Sequence, residues 1–546
     1  MKIKIINLWF KKQSLSIIKY RWFVISIFLL AVLIGFFGLN KMVVEYSNEG
    51  YFLPDDPMIV MTDEFKEIFG NDYYVGVLVE SDSLFTKENL ELLRELSNEL
   101  LDSVSFADKL TSLTDVEFTI GTEYGMEIIQ IVPDEIPADK TALEKIRKKA
   151  FSKKNFAEKL VSKDGKLSWI MMKLLPFPKN WQEKREEMPE IRVGRKVEQI
   201  ITQEKYKSIH PRATGMPYLN FKKKIFFDKE TARVMGLALL LAFIFLAFAT
   251  RSFRGVIVPI IATVGSVIIV FGSVGFLNIP IDGSILSIPI LLSIAISIGY
   301  SIHIFTFYKK HKRETGKREE SVIFALEETG WPLLFTGLTT ISALLSFLII
   351  PVKSIRLIGL ITASNVAVIL LIVMFLMPAL LSFGKDTKPK NNIKRAYKTW
   401  LAFRLEKFGD WILNYPKTII TVSIILAIIL IYGMTKVVAS FDVEKTMGRK
   451  IPYVNNLLEI SETELGSLYS YDLMIEFPEE GMAKQPEILK KLDELSQYVE
   501  TLELTKRTTS ILDVIKDMNQ VLNEDNESFY TIPGNREQVA QMLLLY

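Results

Sequence analysis

The chain has no cysteine and only three histidines in 546 residues. The first absence excludes disulfides, thiolate nucleophiles and thiolate metal sites, and it leaves the redox compartment open. The second leaves His210, His303 and His311 without a metal-ligand constellation. No Walker-type glycine loop occurs, which excludes ATP as an energy source in this chain, and no nucleophile motif stands near a base. The expectation is therefore no enzyme, no cofactor and no metal. A one-sided charge is missing as well: the formal charge of +3 gives no argument for nucleic acid as a partner.

What the chain does have is apolar and charged sequence kept apart. It is 49% hydrophobic with a positive mean hydropathy, yet 24% charged, the pattern of a membrane protein with large aqueous parts. Crossing about 30 Å of hydrocarbon takes roughly 20 apolar residues. Seven stretches qualify: Trp22 to Leu39, Val234 to Thr250, Gly255 to Leu277, Ile285 to Phe307, Trp331 to Val352, Leu357 to Phe383 and Ile419 to Val438. The first lacks a small-residue cleavage site before Lys41 and is read as a retained helix, not a signal peptide.

Lysine and arginine set the orientation. Lys11, Lys12, Lys19 and Arg21, then Arg251 and Arg254, then "YKKHKRETGKREE", then "GKDTKPKNNIKRAYK" all fall on one side of alternating helices, which is read as cytoplasmic; Lys353 and Arg356 are the exception. The resulting plan is a cytoplasmic N-terminus (1–21), a first spanning helix (22–39), an extracytoplasmic domain (40–233), helices two to six (234–383), a cytoplasmic linker (384–417), a seventh helix (418–438) and a partial second extracytoplasmic domain (439–546).

The outer segment reads as mixed. Tyr73 to Glu80 resembles a buried strand, as do "GMEIIQIVP" and "LSWIMMKLLP". "TKENLELLRELSNELLD" carries Leu90, Leu93, Leu96 and Leu100 at helical spacing behind a capping Thr86, and "MPEIRVGRKVEQIITQ" reads as a further helix. The α+β pattern predicts helices covering one face of each sheet. Repetition is more informative. Leu90, Leu93, Glu95, Leu96 and Ser97 recur as Leu489, Leu492, Glu494, Leu495 and Ser496; Ser112, Asp115 and Val116 recur as Ser510, Asp513 and Val514. "YDLMIEFPEE" and "EILKKLDELSQYVETL" thus replay an earlier strand and helix. The expectation is an internal repeat of one helix, an outer domain and five helices. Its second copy is expected to be incomplete, with its symmetric end about 230 residues beyond Tyr546.

One helix, a large outer α+β domain, five helices, then the same again is the plan of the resistance-nodulation-division (RND) transporters. "FLPDDPMIVMTDEFKEIFGNDYYVGVLVE" and, more specifically, "SIHIFTFYKKHKRETGKREESVIFALEETGWPLLFTGLTTISALLSF" resemble the hydrophobe/amphiphile-exporter and mycobacterial-membrane-protein-large (MMPL) branch. The resemblance covers essentially the whole chain, and helices two to six are similar to a sterol-sensing-domain bundle. It implies a polytopic α-helical membrane protein with ferredoxin-like porter lobes that exports lipids or other hydrophobic compounds, driven by protons. Membrane lipids, a hydrophobic substrate and a periplasmic lipid carrier are the implied partners, with the protein a monomer or a homo-oligomer. The alternative is a relative that senses lipid or acts as a scaffold without transport.

The family usually places an aspartate in the fourth helix three or four residues before the histidine. Here those positions are Gly299 and Tyr300, and no carboxylate remains between Ile285 and Phe307. The coupling acid is thus expected outside this segment, and Asp282 is read as a turn residue. Tyr300, on one face with Ser293, Ser297 and Ile304, and His303 are the proton-relay candidates, each balanced against a packing or anchoring role. Ser284, Ser287, Ser293, Ser297, Gly299 and Ser301 suit close helix approach. "FTGLTT" matches the family's fifth-helix motif through Gly337, Thr339 and Thr340, with packing as the plainer reading. "GMP" at Gly215 to Pro217 is read as a structural hinge, and Lys317 to Glu320 as the start of a cytoplasmic amphipathic helix.

Overall fold

The computed structural model describes residues 2–123, 125–153, 159–181, 186–389, 400–438 and 442–545; the start of the expected second outer domain and the middle of the 384–417 linker lie outside them. The chain divides into two compact units, one of Met1–Val60 with Lys223–Phe441 and one of Met61–Lys222 with Asp442–Tyr546. The division does not follow the expected edges at 40 and 233. The strap after the first spanning helix belongs with the helices, and the second boundary falls inside a single helix, Met216–Thr250.

Seven helices among the described residues are long and apolar enough to cross a membrane: Arg21–Leu39, Met216–Thr250, Phe253–Phe276, Gly283–Thr315, Arg318–Ile349, Lys353–Ser382 and Pro416–Met434. Several are longer than their apolar runs. The second starts at Met216, so "GMP" is the helix start itself; Gly215 adopts φ +105°, and a Cβ there would overlap the Tyr74 carbonyl. Lys317–Glu320 does not begin a separate amphipathic helix. Lys317 is the N-cap of Arg318–Leu345, which continues into the fifth span through Gly330 and Pro332, and Glu319 and Glu320 suit its N-terminus.

Packing in the helical unit follows small residues. Gly35 and Gly38 of the first span meet Gly272 and Gly275 of the third, where a Cβ on Gly38 would overlap the Gly272 carbonyl. Without a hydrophobic drive between helices in lipid, such close backbone approach is what supplies dispersion contact. The N-terminal helix Lys2–Lys19 packs along the fifth span, with buried Phe10 set over Gly330.

The mixed unit holds a four-stranded antiparallel sheet in the order Ala107–Thr111, Leu167–Leu174, Tyr74–Glu80, Arg212–Thr214. Helix Lys87–Ser103 follows the Tyr74–Glu80 strand, and helix Pro189–Ile201 precedes the Arg212–Thr214 strand. Thr86 caps the first of these helices by accepting the Asn89 amide at 3.3 Å, and Leu90, Leu93, Leu96 and Leu100 are fully buried. The other sheet face is covered too: Trp169 Nε1 donates to the Leu465 carbonyl at 3.2 Å, and Asn456 to that of Ala213 at 3.1 Å. A hairpin, Glu117–Thr122 with Gly125–Gln130, stands apart from this sheet.

One expectation fails. "YDLMIEFPEE" forms no strand; Tyr471 and Leu473 are exposed. Its apolar residues match the first-copy strand, but a strand needs neighbours to satisfy its backbone, and no described segment pairs with it.

Candidate functional site

Polar side chains are costly inside a helix bundle in lipid, so those buried there mark the region to inspect. On the fourth span Ser293, Ser297 and Ser301 are fully buried and Tyr300 nearly so. Ser293 donates to the Pro289 carbonyl of its own helix at 2.6 Å, and Ser297 donates across to Pro259 of the third span at 3.3 Å. The Tyr300 hydroxyl and Ser301 Oγ are buried without a well-formed hydrogen bond. Thr340 of the fifth span is the polar side chain that bears on Tyr300; its own hydroxyl donates to the Thr336 carbonyl at 2.8 Å, leaving its lone pairs free.

The sixth span adds Asn365, fully buried. Its Nδ2 donates to Ile361 at 3.1 Å while its Oδ1 is unpaired. Tyr300 and Asn365 both lie about 18–20 Å along helices that run in the same direction when successive spans alternate. Helices four, five and six pack on one another as a three-helix seam, whose fourth and sixth members each bury polar atoms with spare hydrogen-bonding capacity. Asn365 was visible as the one amide in "LITASNVAVILL", but nothing in its spacing set it apart.

Of the residues singled out from sequence, Tyr300 and Thr340 come together. Gly337 is buried, and a Cβ there would press on Leu370. Thr339 is exposed and bonds only to its own helix. Gly299 faces open space. His303 is exposed and does not accompany Tyr300 into the bundle.

A second polar centre sits where the strap Met42–Phe52 crosses the ends of the spans. Asp282 is 5% exposed. It caps the turn into the fourth span, accepting Ser284 N and Oγ at 2.7 Å each, so its turn role is real; its Oδ2 is buried without a partner. Tyr46 donates to Asp228 at 2.5 Å, Lys223 donates to the Tyr46 carbonyl at 3.1 Å, and Lys353 lies 3.8 Å from Glu45. Burial, then the Asp228 carboxylate that accepts its proton, push the Tyr46 hydroxyl far above the usual phenol range. Burial also raises Tyr51, which donates to Ser284 at 3.3 Å. Sequence reasoning missed this cluster because its members are distant in the chain and each alone looks like an interfacial charge.

The mixed unit has its own ionic knots. Lys153, 7% exposed, bridges Asp525 at 2.7 Å and Asp517 at 3.3 Å. Glu99 accepts from Tyr206 at 2.8 Å and Gln203 at 2.5 Å and pairs with Lys205 at 2.9 Å. Burial opposes ionisation of Glu99, but these donors outweigh it and hold the carboxyl below its ordinary range, while burial pushes Tyr206 up to about 12.

Residues 111–419 match the model of the MMPL family. The membrane protein MJ1562 of Methanocaldococcus jannaschii is 24% identical over 338 residues, covering 60% of this chain and 81% of that protein. The membrane protein YdfJ of Bacillus subtilis is 32% identical over 110 residues, 20% of this chain and 15% of that one. The family match takes in the strands Leu167–Leu174 and Arg212–Thr214 and all of spans two to six, and over that majority of its length the chain belongs to the MMPL family.

Proposed function

We propose that this is an RND-type transporter that exports lipids or other hydrophobic or amphiphilic compounds by proton-coupled alternating access. The observation that carries the reading is the seam with Tyr300, Ser301 and Asn365, where two spanning helices, the fourth and the sixth, hold buried polar atoms without a well-formed partner among largely apolar side chains. Such groups cost stability in lipid and are retained where protons or a polar headgroup must pass. Family membership supports the transporter class. The βαββαβ order, with its sheet arranged 2-3-1-4, supports a ferredoxin-like porter lobe. The lysine and arginine asymmetry supports an inner-membrane protein with a cytoplasmic N-terminus and the mixed unit outside. The coupling acid is placed elsewhere than in the apolar part of the fourth span, which has none.

The test is movement of a fluorescent lipid analogue by the full chain in proteoliposomes under an imposed pH gradient. Gradient-driven movement that a protonophore abolishes is expected. Tyr300→Phe should slow it about tenfold, the effect of about 1.4 kcal/mol on the barrier, with an unchanged melting temperature. Movement indifferent to the gradient removes the proton coupling. Lipid binding with no movement favours the second reading, a lipid-sensing or scaffold relative, which the absent mid-helix acid supports.

A further inference from the structure

The far ends of the spans carry a convergence of cations that the seam does not use. Arg254 opens the third span, Lys312 lies in the last turn of the fourth, and Arg318 opens the fifth. Arg254 and Arg318 both donate to one acceptor, the Phe383 carbonyl at the end of the sixth span, Arg318 at 2.8 Å. Lys312 lies in the field of both guanidiniums, its Nζ 5.9 Å from the ring of buried Tyr308. Among the described residues none of the three side chains is ion-paired to a carboxylate. Asp386, the acid at this spot, is exposed and accepts the Arg318 main-chain amide at 2.9 Å instead of its guanidinium, and Arg318 Nε remains buried without an acceptor.

Two guanidiniums on one carbonyl with an ammonium beside them repel one another, and in a half-buried setting solvent relieves that only partly. Capping a helix C-terminus needs one cation, not three. The side chains are also the right type: arginine presents planar paired donors to tetrahedral oxyanions, and lysine adds a point charge. Immediately beside them Phe253 and Trp22 are 79% and 69% exposed, a wall for hydrocarbon and not for water. A soluble phosphate would gain nothing from that wall; an acyl chain would.

We propose that Arg254, Lys312 and Arg318 bind the phosphate of an anionic lipid headgroup at the rim of the bundle. The site is distinct from the seam and stands whether or not the protein transports.

Native mass spectrometry of the detergent-purified full chain, titrated separately with phosphatidylglycerol, phosphatidylcholine and inorganic phosphate, tests it. Phosphatidylglycerol is expected to bind selectively, and Arg254→Gln with Lys312→Gln to weaken it about thirtyfold, at roughly fivefold per charge. Lys317→Gln, a nearby lysine already paired with Glu320 at 2.6 Å, should leave it unchanged. Lys312→Gln alone, which breaks no hydrogen bond, covers the case in which the double variant misfolds, and should cost about fivefold. Equal binding of the two lipids, or wild-type affinity in Lys312→Gln, overturns the proposal. Inorganic phosphate displacing phosphatidylglycerol at equal concentration also overturns it, because the site would then read soluble anions.

Discussion

Glu99 shows how a single carboxylate ties pH to stability. Its folded pKa lies below the ordinary value of 4.5, so the stability it contributes is present above that value and is lost as the pH falls through the folded pKa. Wild type and Glu99→Gln are therefore expected to differ in melting temperature at neutral pH and to converge as the pH falls through the folded pKa, measured by scanning fluorimetry across an acidic pH series. Equal slopes through that range would detach Glu99 from the acid response. At this scale the sequence was readable where chemistry is local: Thr86 capped its helix as its neighbours predict. It was unreadable where depth decides. Tyr300 and His303 are three positions apart, about 60° around a helix, and at the edge of a bundle that angle places one ring inside and the other outside.

Elements were legible when their partners were present. The apolar runs announced every spanning helix, though not the polar turns that lengthen them, because charged helical turns beyond the bilayer leave no apolar signature. The strand expected at Tyr471–Glu480 had the correct alternation, yet pairing is a property of two segments and cannot be read from one. The glycine contact of the first and third spans was likewise hidden, since small residues gain meaning only from what faces them. That contact is testable. Gly272→Leu would force side-chain carbons into the Gly35 backbone, and overpacking of this kind typically costs about 1–3 kcal/mol. A lower melting temperature and new protease cleavage after the first span are expected, with Gly236→Leu, which meets open space, as the neutral comparison. Unchanged stability in Gly272→Leu would mean that the two helices do not approach as closely as described.

For the whole molecule, the lack of cysteine among these 546 residues makes every thiol introduced here unique within them. The proposed orientation predicts that Lys163→Cys, on an exposed turn of the mixed unit, reacts with a membrane-impermeant maleimide on intact cells, and that Arg313→Cys reacts only after the membrane is opened. The reverse pattern would invert the topology. The family was visible from sequence because its motifs are patterns of spacing. The polar seam, the strap cluster and the cation rim were not, because each gathers residues from three or more helices.

The helix Met216–Thr250 has a mechanical consequence. Its 35 residues make a rod about 52 Å long, roughly 20 Å more than the hydrocarbon it crosses, and it passes without a break from one compact unit into the other. A stiff rod gripped in a bilayer acts as a lever: a tilt of about 10° about one end sweeps the other by about 9 Å. A rearrangement among the spans too small to open a passage between them would therefore reach Met216 as a stroke of nearly two helical turns, delivered to a glycine that alone can hold the bend beneath it.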